Sequence, residues 1–310
     1  MGFLRLLEGL RTPFFDGLMA MVTYCGNEVV FMVVALILFW CVSKRQGYYL
    51  LLTGFYATVL VQVAKPIFRI PRPWVLDPGF TIVEAARADA GGFSFPSGHS
   101  QNIAGTLGAL FLIRKEKWLR AACAVVIVLV CFSRMYLGVH TPLDVLVGAG
   151  IGLLAAIVLY PFCRDDTAFA KSFGTLLTVG IGLSLAYLLF MELYPFPADV
   201  DAENLQHGID SAYTLLGCVL AVPAFRALDR KHPFSVEAPP VGQILKVVLG
   251  LGLLLGIRAG LKALFAAVGF TAPLADLIRY FCIIFTGGGL WPLTFPFFAK
   301  LGKKEDTHEN

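Results

Sequence analysis

The chain has 310 residues, of which 57% are hydrophobic and 15% are charged, and its formal net charge is +4. Soluble domains carry about 25% charged residues, and apolar runs of about 20 residues recur here between short polar breaks. The composition therefore excludes a soluble globular protein and indicates a polytopic membrane protein. No dense basic tract is present, so we expect no nucleic acid partner.

The first 26 residues are predicted to form an amphipathic segment at the membrane interface. Leucines such as Leu4 and Leu7 alternate with Arg5 and Glu8, and Pro13 then breaks the pattern. The apolar stretch after the proline is short for a membrane span and is predicted to insert only partly, with a first span as the alternative. The early charges and the lack of a small-residue cleavage site do not fit a signal peptide.

Nine apolar runs follow, and each is long enough to predict a membrane helix. They lie near residues 27–43, 47–68, 98–114, 118–138, 142–162, 173–191, 211–228, 243–268 and 276–299. We therefore expect an all-α transmembrane bundle. Seven cysteines are scattered, mostly in these runs, with no CxxC pair, which favours small buried thiols over metal ligands or disulfides.

The charges of the connecting loops predict which ends of the helices face the cytoplasm. Lysine and arginine cluster in loops that include 44–45, 114–117 and 226–231, whereas segment 192–210 contains acidic residues and no lysine or arginine. The positive-inside rule assigns the basic loops to the cytoplasm. Segments 69–97 and 134–141 are then expected on the opposite, extracytoplasmic side.

Three polar clusters interrupt the apolar chain and are predicted to converge on that side. They are Lys65 with Arg72-Pro73, then Pro96-Ser97-Gly98-His99, and then Ser133-Arg134 with His140 and Asp144. The three cations can surround a tetrahedral oxyanion. Ser97 can cap the helix that follows it, whose first N–H groups also favour an anion.

The two histidines suit a phosphoryl transfer. The i, i+4 spacing of His140 and Asp144 lets the carboxylate accept one ring N–H and leaves the other nitrogen as a nucleophile. His99 would protonate the leaving oxygen as general acid, and the set is complete without a metal. In the structural alternatives, Asp144 completes the cap of a helix begun at Thr141, which is compatible with holding His140. Lys65 and Arg72 are then interfacial snorkelling side chains, and His99 or His140 is a satisfied structural histidine.

Together the three clusters resemble the complete signature of the type-2 phosphatidic acid phosphatase superfamily, the membrane lipid phosphate phosphatases. The resemblance covers about residues 27–162, with no substitution in the signature. It implies a metal-free and cofactor-free enzyme in which His140 forms a phosphohistidine, Asp144 orients it and His99 serves first as acid and then as base. The implied phosphate-binding residues are Lys65, Arg72, Ser97, Gly98 and Arg134.

The resemblance also implies a domain organisation. Residues 27–165 would form the lipid phosphatase core, after an N-terminal segment 1–26 and before additional transmembrane helices in 166–300 and a polar tail in 301–310. About four helices are thus added to the usual core. Gly148 to Gly152 resembles half of a dinucleotide fingerprint, but its place in an apolar run favours close helix packing.

The expected function is hydrolysis of a lipid phosphate that reaches the site from the bilayer. The candidate substrates are an isoprenyl diphosphate, phosphatidic acid, phosphatidylglycerol phosphate and a sphingoid-base phosphate. The alternatives are a lipid phosphotransferase with the same intermediate and a non-enzymatic phosphate or lipid transporter. We expect an integral protein of the bacterial plasma membrane, with its site on the extracytoplasmic side, membrane lipids as partners and a possible homo-oligomeric state.

Overall fold

The computed structural model of the protein describes residues 1–270 and 273–301. The predicted tail 301–310 lies outside these residues except for its first residue. The described chain is helical and contains no β-strand, which confirms the predicted all-α class. The α-helices are α1 Gly2–Gly9, α2 Pro13–Tyr24, α3 Glu28–Ile37, α4 Lys44–Phe68, α5 Pro73–Leu76, α6 Gly98–Ile113, α7 Lys117–Tyr136, α8 Pro142–Cys163, α9 Asp166–Leu193, α10 Ala202–Lys231, α11 Pro240–Ala267, α12 Pro273–Phe285 and α13 Phe295–Phe298.

Seven helical segments are long and apolar enough to cross a membrane, and α2 with the helix after it adds an eighth if that pair, bent by 44°, forms one span. The polytopic membrane architecture is thereby confirmed, including four long segments after residue 165. The predicted span at 98–114 corresponds to α6, which has 16 residues and is shorter than the about 20 that a full crossing requires. It begins at Gly98, among the predicted site residues.

The chain forms two compact units. The first unit contains residues 1–34 and 48–212, and the second contains residues 35–47 and 213–310. All three polar clusters belong to the first unit. These are units of packing, so the functional segments 1–26, 27–165, 166–300 and 301–310 stay predictions.

Helices α6 and α8 pack most extensively in the first unit, because glycines face each other across the contact. A β-carbon at Gly148 would collide with the backbone oxygen of Ser97, and one at Gly152 would collide with the backbone oxygen of Gln101. A β-carbon at Gly105 would lie 3.6 Å from the backbone of Gly152, whereas one at Gly152 would lie only 2.7 Å from the backbone nitrogen of Gly105. The packing interpretation of Gly148 to Gly152 is confirmed, and the close approach brings the second and third clusters together.

The N-terminal helix α1 is amphipathic and is attached to the loop after α5. Leu4 and Leu7 are buried, whereas Leu6 is 61% exposed. Arg5 forms an ion pair of 2.6 Å with Asp77 in that loop. The helix therefore lies beside the segments that connect the first and second clusters, while its location at a membrane interface stays a prediction.

The second unit has a buried lysine at its centre. Lys246 of α11 is fully buried, and its Nζ donates to the backbone oxygens of Trp40, at 3.0 Å, and Val236, at 2.8 Å. The ammonium also lies 4.5 Å from the centroid of the Phe295 ring. Trp40 belongs to a π-helical turn, Leu38–Val42, that continues α3. Two carbonyls and a ring thus satisfy this cation.

Candidate active site

The first and third clusters meet at His140. Arg72, at the N-terminus of α5, is 6% exposed, and its Nη1 lies 2.9 Å from Nε2 of His140 and 3.1 Å from the backbone oxygen of Val139. The rest of the guanidinium is held by Gly91 and Gly92, whose backbone oxygens accept from Nη2 at 2.7 Å and from Nε at 3.0 Å. Arg72 is therefore fixed with one edge against the predicted nucleophile.

The contact with Arg72 assigns the tautomer of His140. A guanidinium only donates hydrogen bonds, so Nε2 of His140 must accept and the proton of the neutral ring lies on Nδ1. Burial, together with the nearby cations Arg72, Arg134 and Lys65, holds the pKa of His140 well below its usual value. The ring is thus neutral, with the lone pair of Nε2 directed at the cationic groups, as a nucleophile requires.

Asp144 is the centre of a buried polar network on the other edge of this ring. Its Oδ2 accepts from the Ser94 hydroxyl at 2.6 Å and from the backbone N of Thr141 at 2.8 Å, and it lies 3.5 Å from Nδ1 of His140. The Thr141 side chain accepts in turn from the backbone of Asp144, which completes a capping box. Asp144 therefore both caps α8 and faces the histidine, so the two interpretations of this residue hold together.

The second cluster forms the N-terminus of α6. Ser97 caps the helix, as predicted, since its hydroxyl accepts from the backbone N of Ser100 at 3.4 Å. The backbone N of Ser97 donates to the backbone oxygen of Asp144 at 2.9 Å, which joins the second cluster to the third. Gly98 has no atom within 4 Å of the place where a β-carbon would lie, so its backbone borders open space.

Several buried donors at this site have no hydrogen-bond partner among the described residues. Arg134 is fully buried, and its Nη1 donates to the Thr23 hydroxyl at 2.9 Å, while its Nε and Nη2 have no acceptor. Nε2 of His99 is also buried without a partner. Lys65 is 8% exposed and lies within electrostatic range of Arg72 and Arg134, and its side chain makes no hydrogen bond to the described residues. Unpaired buried donors are costly, and an anion placed among these groups would satisfy them.

The eight predicted site residues are therefore found in one neighbourhood. His99 lies within electrostatic range of Arg134, His140, Arg72 and Lys65. Lys65 lies on the last turns of α4 and Arg134 on the last turn of α7, while Gly98 and His99 open α6. The C-terminal ends of α4 and α7 and the N-terminal ends of α5, α6 and α8 thus supply the cluster.

Comparison with known proteins identifies the family. The model of the PAP2 superfamily matches residues 45–168, and that of the PAP2 superfamily phosphatase transmembrane extension matches residues 213–304. An undecaprenyl-diphosphatase of Sulfolobus acidocaldarius is 33% identical over 149 residues, which are 48% of this chain and 70% of that protein. The chain belongs to the PAP2 superfamily. It is a membrane lipid phosphatase, as the signature indicated.

The chain is also similar to a mammalian phosphatase and to one solved structure. Mouse sphingosine-1-phosphate phosphatase 1 is 27% identical over 269 residues, which are 82% of this chain and 60% of the mouse protein. A crystal structure of Aquifex aeolicus LpxE has 28% sequence identity and a TM-score of 0.43, covering 50% of this chain and 90% of that one. The chain thus spans less than two thirds of the length of the mouse relative.

Several residues around this PAP2 site lay outside the sequence prediction. Ser94 contacts Asp144, Thr23 contacts Arg134, and the backbone of Gly91 and Gly92 holds Arg72. Ser94 stands close before the second cluster, so its polarity between two phenylalanines was a usable signal. Thr23 lies 111 residues from its partner, and no local pattern marks it.

Proposed function

We propose that this PAP2 protein hydrolyses a phosphate monoester or diphosphate of a membrane lipid through a phosphohistidine on His140. The observation that carries the proposal is the pair of unpaired buried donors on Arg134, next to the unpartnered Nε2 of His99 and a neutral His140 that presents Nε2. A tetrahedral phosphoryl group supplies the acceptors that these donors lack. A binding protein would need the cations but has no need of two histidines and an orienting carboxylate.

In the first step, Nε2 of His140 attacks phosphorus, and the bond from phosphorus to the leaving oxygen breaks. The electron pair remains on that oxygen, which takes a proton from His99. In the second step, His99 removes a proton from water, the resulting oxygen attacks phosphorus, and the P–N bond breaks to release inorganic phosphate and neutral His140. Arg72, Arg134 and Lys65 stabilise the charge on the phosphoryl oxygens in both steps.

The proposed substrate is a lipid phosphate presented from the bilayer. The relatives act, by their names, on undecaprenyl diphosphate and on sphingosine 1-phosphate, which supports an isoprenyl diphosphate and a sphingoid-base phosphate. Phosphatidic acid and phosphatidylglycerol phosphate complete the panel. We further propose that the site faces the extracytoplasmic side of a bacterial plasma membrane, a placement supported by the basic loops at the opposite helix ends.

The test is phosphate release from this panel by purified protein in EDTA. We expect release by the wild type, a loss of at least about 10³-fold for His140→Ala and of about 10²–10⁴-fold for His99→Ala. Phosphate release by His140→Ala at the wild-type rate would contradict the assignment of His140 as the nucleophile. Transfer of labelled phosphate to an added alcohol, instead of to water, would identify a phosphotransferase.

The same assay in sealed vesicles tests the proposed side. A water-soluble, short-chain lipid phosphate that cannot cross the bilayer should be hydrolysed by right-side-out vesicles without detergent. Hydrolysis that begins only after permeabilisation would place the site on the cytoplasmic side.

A further inference from the structure

A third histidine lies against the site from outside the signature. His207 is on the second turn of α10, beyond the residues 45–168 that the PAP2 model matches. A β-carbon at Gly91 would lie 2.9 Å from its Cδ2 and 3.1 Å from its Nε2, and one at Gly92 would lie 3.4 Å from its Cγ. The imidazole thus packs directly on the backbone of two consecutive glycines, and a side chain at Gly91 would displace it.

The Gly91–Gly92 segment has a second contact, which is with Arg72. The backbone oxygens of these two glycines accept two of the guanidinium hydrogen bonds, at 2.7 Å and 3.0 Å. Gly92 has a φ of +70°, a conformation that favours glycine and that turns its carbonyl toward the arginine. The position of this segment therefore determines how Arg72 presents Nη1 to His140.

His207 is itself held in place on its helix. The Ser211 hydroxyl donates to the backbone oxygen of His207 at 2.8 Å and lies 3.5 Å from the ring Nδ1. Asp210, Lys65 and Arg72 are within electrostatic range of the ring. The side chain is therefore anchored on α10, and its ring contacts the segment that holds Arg72.

We propose that His207 is a positioning residue, which packs against Gly91–Gly92 and so fixes the guanidinium of Arg72 for the phosphoryl group. The inference rests on the proposed function, because Arg72 is taken to bind the transferred phosphate. A gap on the far side of the segment would let its two carbonyls shift, and Arg72 would then lose orientation without losing its charge. Small displacements of a positioning group are costly in a preorganised site.

A double-mutant cycle tests this positioning role. His207→Ala, Arg72→Ala and the double variant are compared by kcat/KM for a lipid phosphate and by the Kd for orthovanadate, an oxyanion that resembles phosphate. We expect His207→Ala to lower kcat/KM about tenfold and Arg72→Ala to lower it about 10²–10³-fold. In the Arg72→Ala background, His207→Ala should have no further effect, because there is no guanidinium left to orient. Losses that multiply in the double variant would overturn the proposal.

Two further variants separate positioning from other roles. Gln206→Ala changes an exposed neighbour on the same turn of α10 and should leave both readouts at the wild-type level. His207→Phe keeps a flat ring against the glycines and should recover most of the activity that alanine loses. Thermal melting checks that both variants are folded. If the folded phenylalanine variant is as impaired as the alanine variant, His207 is assigned a polar contact with the substrate instead, and the positioning role is contradicted.

Vanadate binding distinguishes failure of this inference from failure of the proposed function. If the wild type binds vanadate and the cycle shows coupling in Kd, but no lipid in the panel is hydrolysed, the positioning role of His207 is supported and the hydrolase assignment is contradicted. If the wild type hydrolyses lipid phosphate but the effects of the two substitutions are additive in free energy, the proposed function is supported and the positioning role of His207 is contradicted. If the wild type does not bind vanadate, the proposed binding of an oxyanion by Arg72 is contradicted, and so is the positioning role of His207.

Discussion

Both units of the protein bury cations in a largely apolar interior, but they treat them differently. In the second unit, the two carbonyl oxygens and the aromatic ring around Lys246 satisfy the ammonium. In the first unit, Arg134 keeps two nitrogens without an acceptor, and the buried Lys65 makes no side-chain hydrogen bond or ion pair to the described residues. Burial alone is therefore shared by a structural cation and by the proposed catalytic ones. Unused donor capacity is what separates them.

The difference between the two kinds of buried cation is tested most directly by substituting one cation in each unit. We expect Arg134→Met to lower phosphate release by about 10²–10³-fold, the order found when a transition-state donor is removed. Its melting temperature should change little, because the loss of the hydrogen bond to Thr23 is offset by the removal of two unsatisfied buried donors. An Arg134→Met protein that is destabilised but active would show that the guanidinium is structural.

Lys246→Met is the matched change in the second unit. It should lower the free energy of unfolding by about 1–3 kcal/mol, because two buried carbonyls lose their donor. Its kcat/KM should stay close to that of the wild type. Chemical denaturation and the lipid phosphatase assay on the same preparation measure both effects. A Lys246→Met protein that is fully stable and inactive would reverse the assignment of the two cations.

A smaller effect is expected where a polar group of the first unit is fully satisfied. Ser94→Ala removes a buried hydroxyl that donates to Asp144 at 2.6 Å. Because Thr141 still donates to the same oxygen, we expect kcat/KM to fall about tenfold rather than to vanish. Ser100→Ala, which removes a buried hydroxyl that donates to Ser97 at 3.0 Å instead, should be milder. Equal losses in the two variants would show that Ser94 has no specific role in orienting Asp144.

The smallest effect is a shift of the pH profile. Burial, together with nearby cations that disfavour the imidazolium form, lowers the pKa of His140, so the acid limb of kcat/KM should lie below the ordinary histidine value of about 6.5. Lys65→Gln removes one of those cations, which raises the pKa of His140 and moves the limb to higher pH. Arg87→Gln removes an exposed arginine that is paired with Glu84 and should leave the limb in place. A limb that moves to lower pH in Lys65→Gln would contradict the electrostatic argument.

The architecture was predictable because the signal is strong and local. Each long apolar run forms a helix, and the four runs after residue 165 are helices α9 to α12. A π-helical turn, Thr286–Leu290, follows α12 directly. The prediction of a full span at 98–114 failed on length, since hydropathy does not register that α6 begins among buried site residues. The bend of 44° between α2 and the helix after it also has no counterpart in a hydropathy pattern.

The site was predictable as a set of residue types, and its supporting contacts were not. Polar side chains that interrupt a hydrocarbon chain stand out in the sequence, which is why His140, Arg134 and Lys65 could be named. Thr23 and His207 were missed because their roles arise from contacts between distant segments. Gly91 and Gly92 act through backbone oxygens, so a search for reactive side chains passes over them.

The backbone contact between Ser97 and Asp144 has a consequence for substrate admission. The bond of 2.9 Å joins the start of α6 to the start of α8, and the missing side chain of Gly148 allows that closeness. A single methyl group there would wedge the oxyanion-binding turn away from the nucleophile. The N-terminus of α6 and the N-terminus of α8 are therefore held together, and we expect a lipid headgroup to reach the site without a separation of these two helix ends.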